Sequence, residues 1–145
     1  MVRSRVWAGA FFCAAALVLS GCAPADSISQ IRSFLATDSG PEDVLPPGVD
    51  DATSEPGSSR LVGEYAGLSY FVTKYVDPDS AGPGFCLVIS NPEGGAASSC
   101  ASDVNATRLW ISSSATGSAR VVVADDIIPD GCTKLGDFLI VNSDG

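Results

Sequence analysis

The sequence predicts an all-β fold: a small antiparallel sandwich or partly open barrel of about seven short strands. Three observations predict it. From Arg60 onward, apolar and polar residues alternate with period two, and β-branched and aromatic residues are frequent. Gly, Pro, Asn and Asp interrupt this pattern at close intervals. No strong helical period runs through the same stretch. Short strands separated by frequent turns suit a sandwich or barrel better than a parallel sheet.

The elements follow in chain order. Arg60–Tyr65 and Leu68–Val76 read as two strands around Ala66-Gly67, with glycine where a tight hairpin needs a positive φ. Phe85–Ser90 and Ala96–Ala101 flank a turn-rich loop, Asn91-Pro92-Glu93-Gly94-Gly95. Arg108–Ser112 and Ala119–Ala124 flank a Ser-, Thr- and Gly-containing turn. Pro129-Asp130-Gly131 is a further turn signal, and Phe138–Asn142 is a last apolar strand. The expected core is Leu61, Tyr65, Leu68, Tyr70, Val72, Leu87, Ile89, Leu109, Ile111, Val121, Val123, Leu139 and Val141. The facing of Phe71 and Trp110 depends on whether their strands are covered on both sides.

A domain of this size, residues 60–145, buries one modest core and often needs a covalent staple. If loop 91–95 is a five-residue hairpin connection, Ser90 faces Ala96, and the same register sets Cys86 opposite Cys100. A disulfide there closes a loop worth about 3 kcal/mol in the chain-entropy model. Cys132 is then left as a free thiol, or pairs with Cys86, Cys100 or another chain. No CxxC or histidine accompanies the thiols, so no metal site is expected.

Ahead of the β-domain lie three segments. Asp26–Ala36 reads as a short helix: Ser27 and Gln30 have capping-box spacing, and Ile28, Ile31 and Leu35 share one face. Its apolar stripe needs a surface, either a bilayer or the β-domain. Residues 37–59 hold four prolines and many acidic residues, which predicts a disordered, extended linker acting as a spacer. A second reading makes Val44-Leu45-Pro46-Pro47 a docking peptide for a partner or for its own domain. Residues 1–21 have a basic start (Arg3, Arg5) and an uncharged apolar run from Val6 to Leu19. That run is too short to span a bilayer comfortably and fits a secretory signal helix.

The run ends in Leu19-Ser20-Gly21-Cys22, which resembles the lipobox of bacterial lipoprotein precursors. The resemblance implies cleavage before Cys22 and diacylglycerylation of its thiol, with palmitate among the acyl chains. It implies a protein lipid-anchored on the extracytoplasmic face of the cell membrane, where disulfides are permitted. The domains on this reading are 1–21 signal peptide, 22–59 lipidated N-terminus with helix and linker, and 60–145 β-domain. Short motifs across the mature chain also resemble small uncharacterised exported lipoproteins of high-GC actinobacteria. They include Ser59-Arg60-Leu61-Val62-Gly63-Glu64, Phe85-Cys86-Leu87-Val88, Ser98-Ser99-Cys100 and Phe138-Leu139-Ile140-Val141. That resemblance implies a compact β-domain with one hairpin disulfide and brings no catalytic residues.

Composition narrows the function. The chain has 8 Lys+Arg, 17 Asp+Glu and no His, for a net charge of -9. The absence of histidine excludes Ser-His-Asp and Cys-His catalysis and His-ligated metals. The acidity argues against nucleic acid. No phosphate loop or nucleophile elbow occurs. Asp77-Pro78-Asp79 lacks the later ligands of a calcium loop, and Asp125-Asp126 with Asp130 reads as a polar strand end. The expectation is a non-enzymatic binding or structural module without a cofactor, held to the membrane, with an envelope protein or wall ligand as partner. The alternative is a carboxylate-dependent wall hydrolase drawing on Glu64, Asp103, Asp125 or Asp126, which requires two of them in one cleft.

Overall fold

The computed structural model describes residues 26–47, 49, 54–76, 83–102, 109–122 and 126–142. Residues 1–25, Cys22 among them, lie outside these, as do Asp77-Pro78-Asp79, Asp103, Val123 and Asp125.

Two four-stranded antiparallel sheets face each other, with one short helix set against both. The first sheet is a meander of β1 (Arg60–Tyr65), β2 (Leu68–Val76), β3 (Pro83–Ser90) and β4 (Ala96–Ser102). The second contains β5 (Trp110–Ser113), β6 (Gly117–Val121), β7 (Thr133–Leu135) and β8 (Leu139–Asn142), in the spatial order β5-β6-β8-β7. The helix α1 covers Ser27–Leu35.

Local chemistry accounts for the turns. Ala66 and Gly67 both have positive φ, 51° and 79°, as a two-residue hairpin matched to strand twist requires. In the β3–β4 loop the Asn91 carboxamide oxygen accepts from the Glu93 and Gly95 amides, and the Asn91 amide donates to the Gly95 carbonyl. The loop therefore closes as five residues, with Ser90 opposite Ala96 and Cys86 opposite Cys100, and these two cysteines are joined.

Alternation along the strands builds the core. Tyr70, Val72, Phe85, Leu87 and Ile89 of the first sheet meet Ile111, Ala119, Val121, Leu139 and Val141 of the second. Leu109 is also buried there, while Tyr65 and Leu68 are partly buried against the cluster. Leu61 is a correction. A register shift between Leu61 and Gly63 turns the strand, and Val62 packs on the core in its place. Phe85 and Phe138, absent from the expected core, are 4% and 3% exposed.

The helix resolves the choice of surface. Ile31 and Leu35 are 0% and 3% exposed within the shared core. Phe34 meets Phe138 edge-on, with ring centroids 5.5 Å apart. At the helix start, the Asp26 carboxylate accepts from the Ser29 amide at 2.7 Å. The buried Ser27 hydroxyl donates to the Val122 carbonyl just beyond β6. The apolar stripe thus rests on the β-domain.

The expectation of a disordered, extended spacer over 37–59 is corrected for its described parts. The Arg60 guanidinium donates to the Thr37 carbonyl at 2.6 and 3.1 Å and lies 3.8 Å from the Asp43 carboxylate. That carboxylate also accepts from the Leu61 amide at 2.7 Å, and the Ser59 hydroxyl donates to the Asp43 carbonyl. Further on, Ser54 bridges Tyr75, and the Ser58 and Thr73 hydroxyls are 2.8 Å apart. The segment lies against the outward side of the first sheet, lining one groove with Thr73 and another with Ser69 and Ser90. This explains why Phe71, Thr73, Val88 and Ser90, which alternation points outward, are all nearly inaccessible. Proline and acid content denies a segment regular secondary structure. It does not prevent side-chain and edge bonds to a neighbouring sheet. Val44 stays 71% exposed, so of the docking reading it is the flanking polar residues that carry the attachment.

β7 has no counterpart in the sequence expectation. Three residues are too few to establish a period. It forms because Gly136, with φ 56°, turns the chain back onto β8 with Leu135 opposite Leu139.

Candidate outward face of the second sheet

The two sheets differ in what covers their outer sides. On the second sheet, alternation sends Trp110 and Ser112 of β5 outward, with Ser118 and Arg120 of β6, Ile140 and Asn142 of β8, and Lys134 of β7. Strand pairing sets them in rows. Trp110 lies beside Arg120, then Ile140, then Lys134, and Ser112 lies beside Ser118, then Asn142.

β6 and β7 run parallel with β8 between them, so the 122–132 connection must pass from one end of the sheet to the other. Its described part, residues 126–132, meets the outward face at Asp126 and Cys132. Asp126 meets Arg120 there, with carboxylate and guanidinium 3.2 Å apart, each about a third to two-fifths exposed. Such a pair, so open to water, fixes position more than it stabilises. Ile140, between Arg120 and Lys134 in the same row, is only 3% exposed. The far end of the connection closes in a turn, where the Cys132 amide donates to the Pro129 carbonyl at 3.1 Å. Face and crossover enclose an open groove of about 310 Å³ lined by Trp110, Ser112, Arg120, Cys132 and Asn142 among others.

The apolar content of this side is unusual. Trp110 is 64% exposed, Ile127 88% and Ile128 44%. Trp110 is outward because its partner in register, Arg120, is outward, and Ile111 next to it takes the core position. Ile127 and Ile128 have no strand to alternate on and follow Asp126 in the connection. The one sequence signal for them is an apolar pair set between Asp126 and Pro129-Asp130.

The structure distributes the other predicted residues widely. Cys86 and Cys100 form the disulfide across β3 and β4 on the first sheet. Cys132 is a free, half-buried thiol on the second sheet. Glu64 is exposed on β1 and accepts from the Ser69 hydroxyl at 3.3 Å. Asp126 is on the crossover of the other sheet. The structure does not bring these two carboxylates into one cleft. Among the described residues, no group of three His, Cys, Asp or Glu side chains is disposed to hold a metal ion. Among the described residues, too, no helix is long and apolar enough to cross a membrane. Comparison with protein-family models, curated proteins and solved structures finds no match to this chain.

Proposed function

We propose that this protein is a non-enzymatic, lipid-anchored lipoprotein of the bacterial cell envelope, and that its β-sandwich acts as a binding or structural module. One observation carries the reading: Leu19-Ser20-Gly21-Cys22, at the end of a short uncharged run behind Arg3 and Arg5. Two acyl chains on one N-terminal residue hold a protein at a membrane stably, which one chain does not. The disulfide Cys86–Cys100 fits an exported protein, since such bonds persist in oxidising compartments. The free surface that a binding role would use is the outward face of the second sheet, because the first sheet is covered by residues of its own chain.

The test is Cys22→Ala in the native host. The wild-type chain is expected in the membrane fraction, with a mass corresponding to a start at Cys22 plus diacylglycerol. The variant is expected in the soluble fraction without acyl label. A variant that stays membrane-bound would show that the anchor is the uncleaved apolar segment and would overturn lipidation.

A further inference from the structure

We propose that the outward face of the second sheet docks on the bilayer surface, with Trp110, Ile127 and Ile128 entering the headgroup region. This deepens the reading above and rests on lipidation of Cys22.

The first argument is where the chain leaves the fold. The Ser27 hydroxyl bonds the Val122 carbonyl, and the Val121 amide donates to the Leu109 carbonyl at 3.0 Å. The start of the helix, Trp110 and the root of the crossover therefore share one end of the second sheet. Cys22 precedes the helix cap Asp26 by four residues, a reach of about 14 Å at roughly 3.5 Å each. The acidic segment that would have served as a spacer comes after the helix, and its described parts are bonded to the domain. It adds no slack between lipid and domain. A lipid on Cys22 therefore brings this end of the second sheet to the membrane.

The second argument is what that end presents. Of the five large apolar side chains exposed among the described residues, Trp110, Ile127 and Ile128 are on this side. They are linked in space, since Trp110 pairs with Arg120, Arg120 bonds Asp126, and Ile127 follows. Tryptophan favours the bilayer interface, where its ring is half apolar and its N–H still meets water.

The third argument is charge. Arg120 and Lys134 project from this face, whereas Glu42, Glu55, Glu64 and Glu93 belong to the first sheet or to the segments around it. Asp126 is paired with Arg120, and Asp130 is the one other acid of the described crossover. Two cations thus stand against two acids, so among the described residues this face is near neutral, and in a chain with a net charge of -9 it is the side least repelled by anionic headgroups. The contact is small, but the tether makes it intramolecular, so a weak intrinsic affinity suffices.

The experiment uses the lipidated protein in vesicles of phosphatidylethanolamine and phosphatidylglycerol. The only tryptophans are Trp7 and Trp110, and Trp7 leaves with residues 1–21, so Trp110 is the one reporter of the lipidated protein. Flotation reads the anchor, and quenching by bromine-labelled acyl chains reads the face. The expected result is a vesicle-bound protein whose Trp110 emission is blue-shifted, quenched by the brominated lipid and protected from iodide. An Ile127→Asp/Ile128→Asp variant is expected to stay vesicle-bound yet lose that quenching. Its far-UV spectrum should be unchanged, because both positions are exposed. A protein that floats while Trp110 remains as open to iodide as in detergent-free solution overturns the docking alone and leaves the face to a soluble partner. A protein that does not float overturns the anchor, and the docking with it.

Discussion

Replacing Ile31 by alanine separates a helix built into the core from one lying on another surface. Ile31 has no exposed surface, and its neighbours in the core belong to both sheets. The change removes three carbons from a site walled by two hydrogen-bonded sheets, which collapse poorly into a void. Isoleucine-to-alanine changes in such places cost about 2–5 kcal/mol, and poor collapse puts this one near 3–4 kcal/mol. At about 4–8 °C per kcal/mol for a domain of this size, the melting temperature should fall by roughly 12–30 °C. The alternative surface predicts the opposite sign. On a helix free of the domain, alanine is the better helix former by a few tenths of a kcal/mol, so stability would be unchanged or slightly higher. Urea unfolding of the chain beginning at residue 22, with Cys22→Ser, reads the difference as a lower midpoint at constant slope. Val44→Ala is the control, since Val44 is largely exposed and should change stability by less than about 0.5 kcal/mol. Equal midpoints for Ile31→Ala and wild type would refute the packing of α1 between the sheets.

Three further outcomes are expected. Cys86→Ala/Cys100→Ala should cost about 2–4 kcal/mol, seen as a shifted urea midpoint that reducing agent reproduces in the wild type; no effect of either would mean that the hairpin is not cross-linked. Burial, with Tyr65 alongside, holds the Tyr70 phenol above its usual range, and its hydroxyl finds no partner among the described residues. Tyr70→Phe should therefore be neutral or stabilise by about 1 kcal/mol, and a clear loss in thermal melting would show that the hydroxyl is bonded. Hydrogen bonds from Ser29, and more weakly the charge of Arg32, lower the Asp26 carboxyl below its ordinary value of 3.8. A depressed folded value contributes stability that is present above the unfolded value and is lost as pH falls through the folded one. The stability gap between wild type and Asp26→Ala should thus be widest above about pH 4 and close in stronger acid; a gap independent of pH would count against the cap.

The β-hairpins were legible because their information is local. Ala66-Gly67 and the Asn91–Gly95 loop carry their own turn chemistry, and from the second loop the Cys86–Cys100 pairing followed by register alone. Nine of the thirteen expected core residues are buried in the shared cluster for a related reason: a strand with one covered face records it as alternation. What escaped depends on distant partners. Asp43 and Arg60 read as solvated charges until the fold sets them 3.8 Å apart. Phe71 on a strand covered on both faces looks like Trp110 on a strand covered on one, and only the covering segment distinguishes them. The bulge before Gly63 exchanged the facing of Leu61 and Val62 without any signal in the strand itself. The outward face of the second sheet was invisible for the same cause, since the crossover that assembles it joins strands that are not neighbours.

The packing of α1 also sets an order of events in biosynthesis. Its stripe closes against Leu139 and Val141, more than a hundred residues downstream of Ile31. At about 5–20 residues per second, the ribosome delivers those partners roughly 5–20 s after the helix sequence itself. Nine residues do not hold a helix alone in water during that interval. The helix sequence therefore spends those seconds as open chain, without the sheets that bury its stripe. The arrival of the last strand completes the surface on which Ile31 and Leu35 pack, while Asp26 at the head of the helix stays exposed.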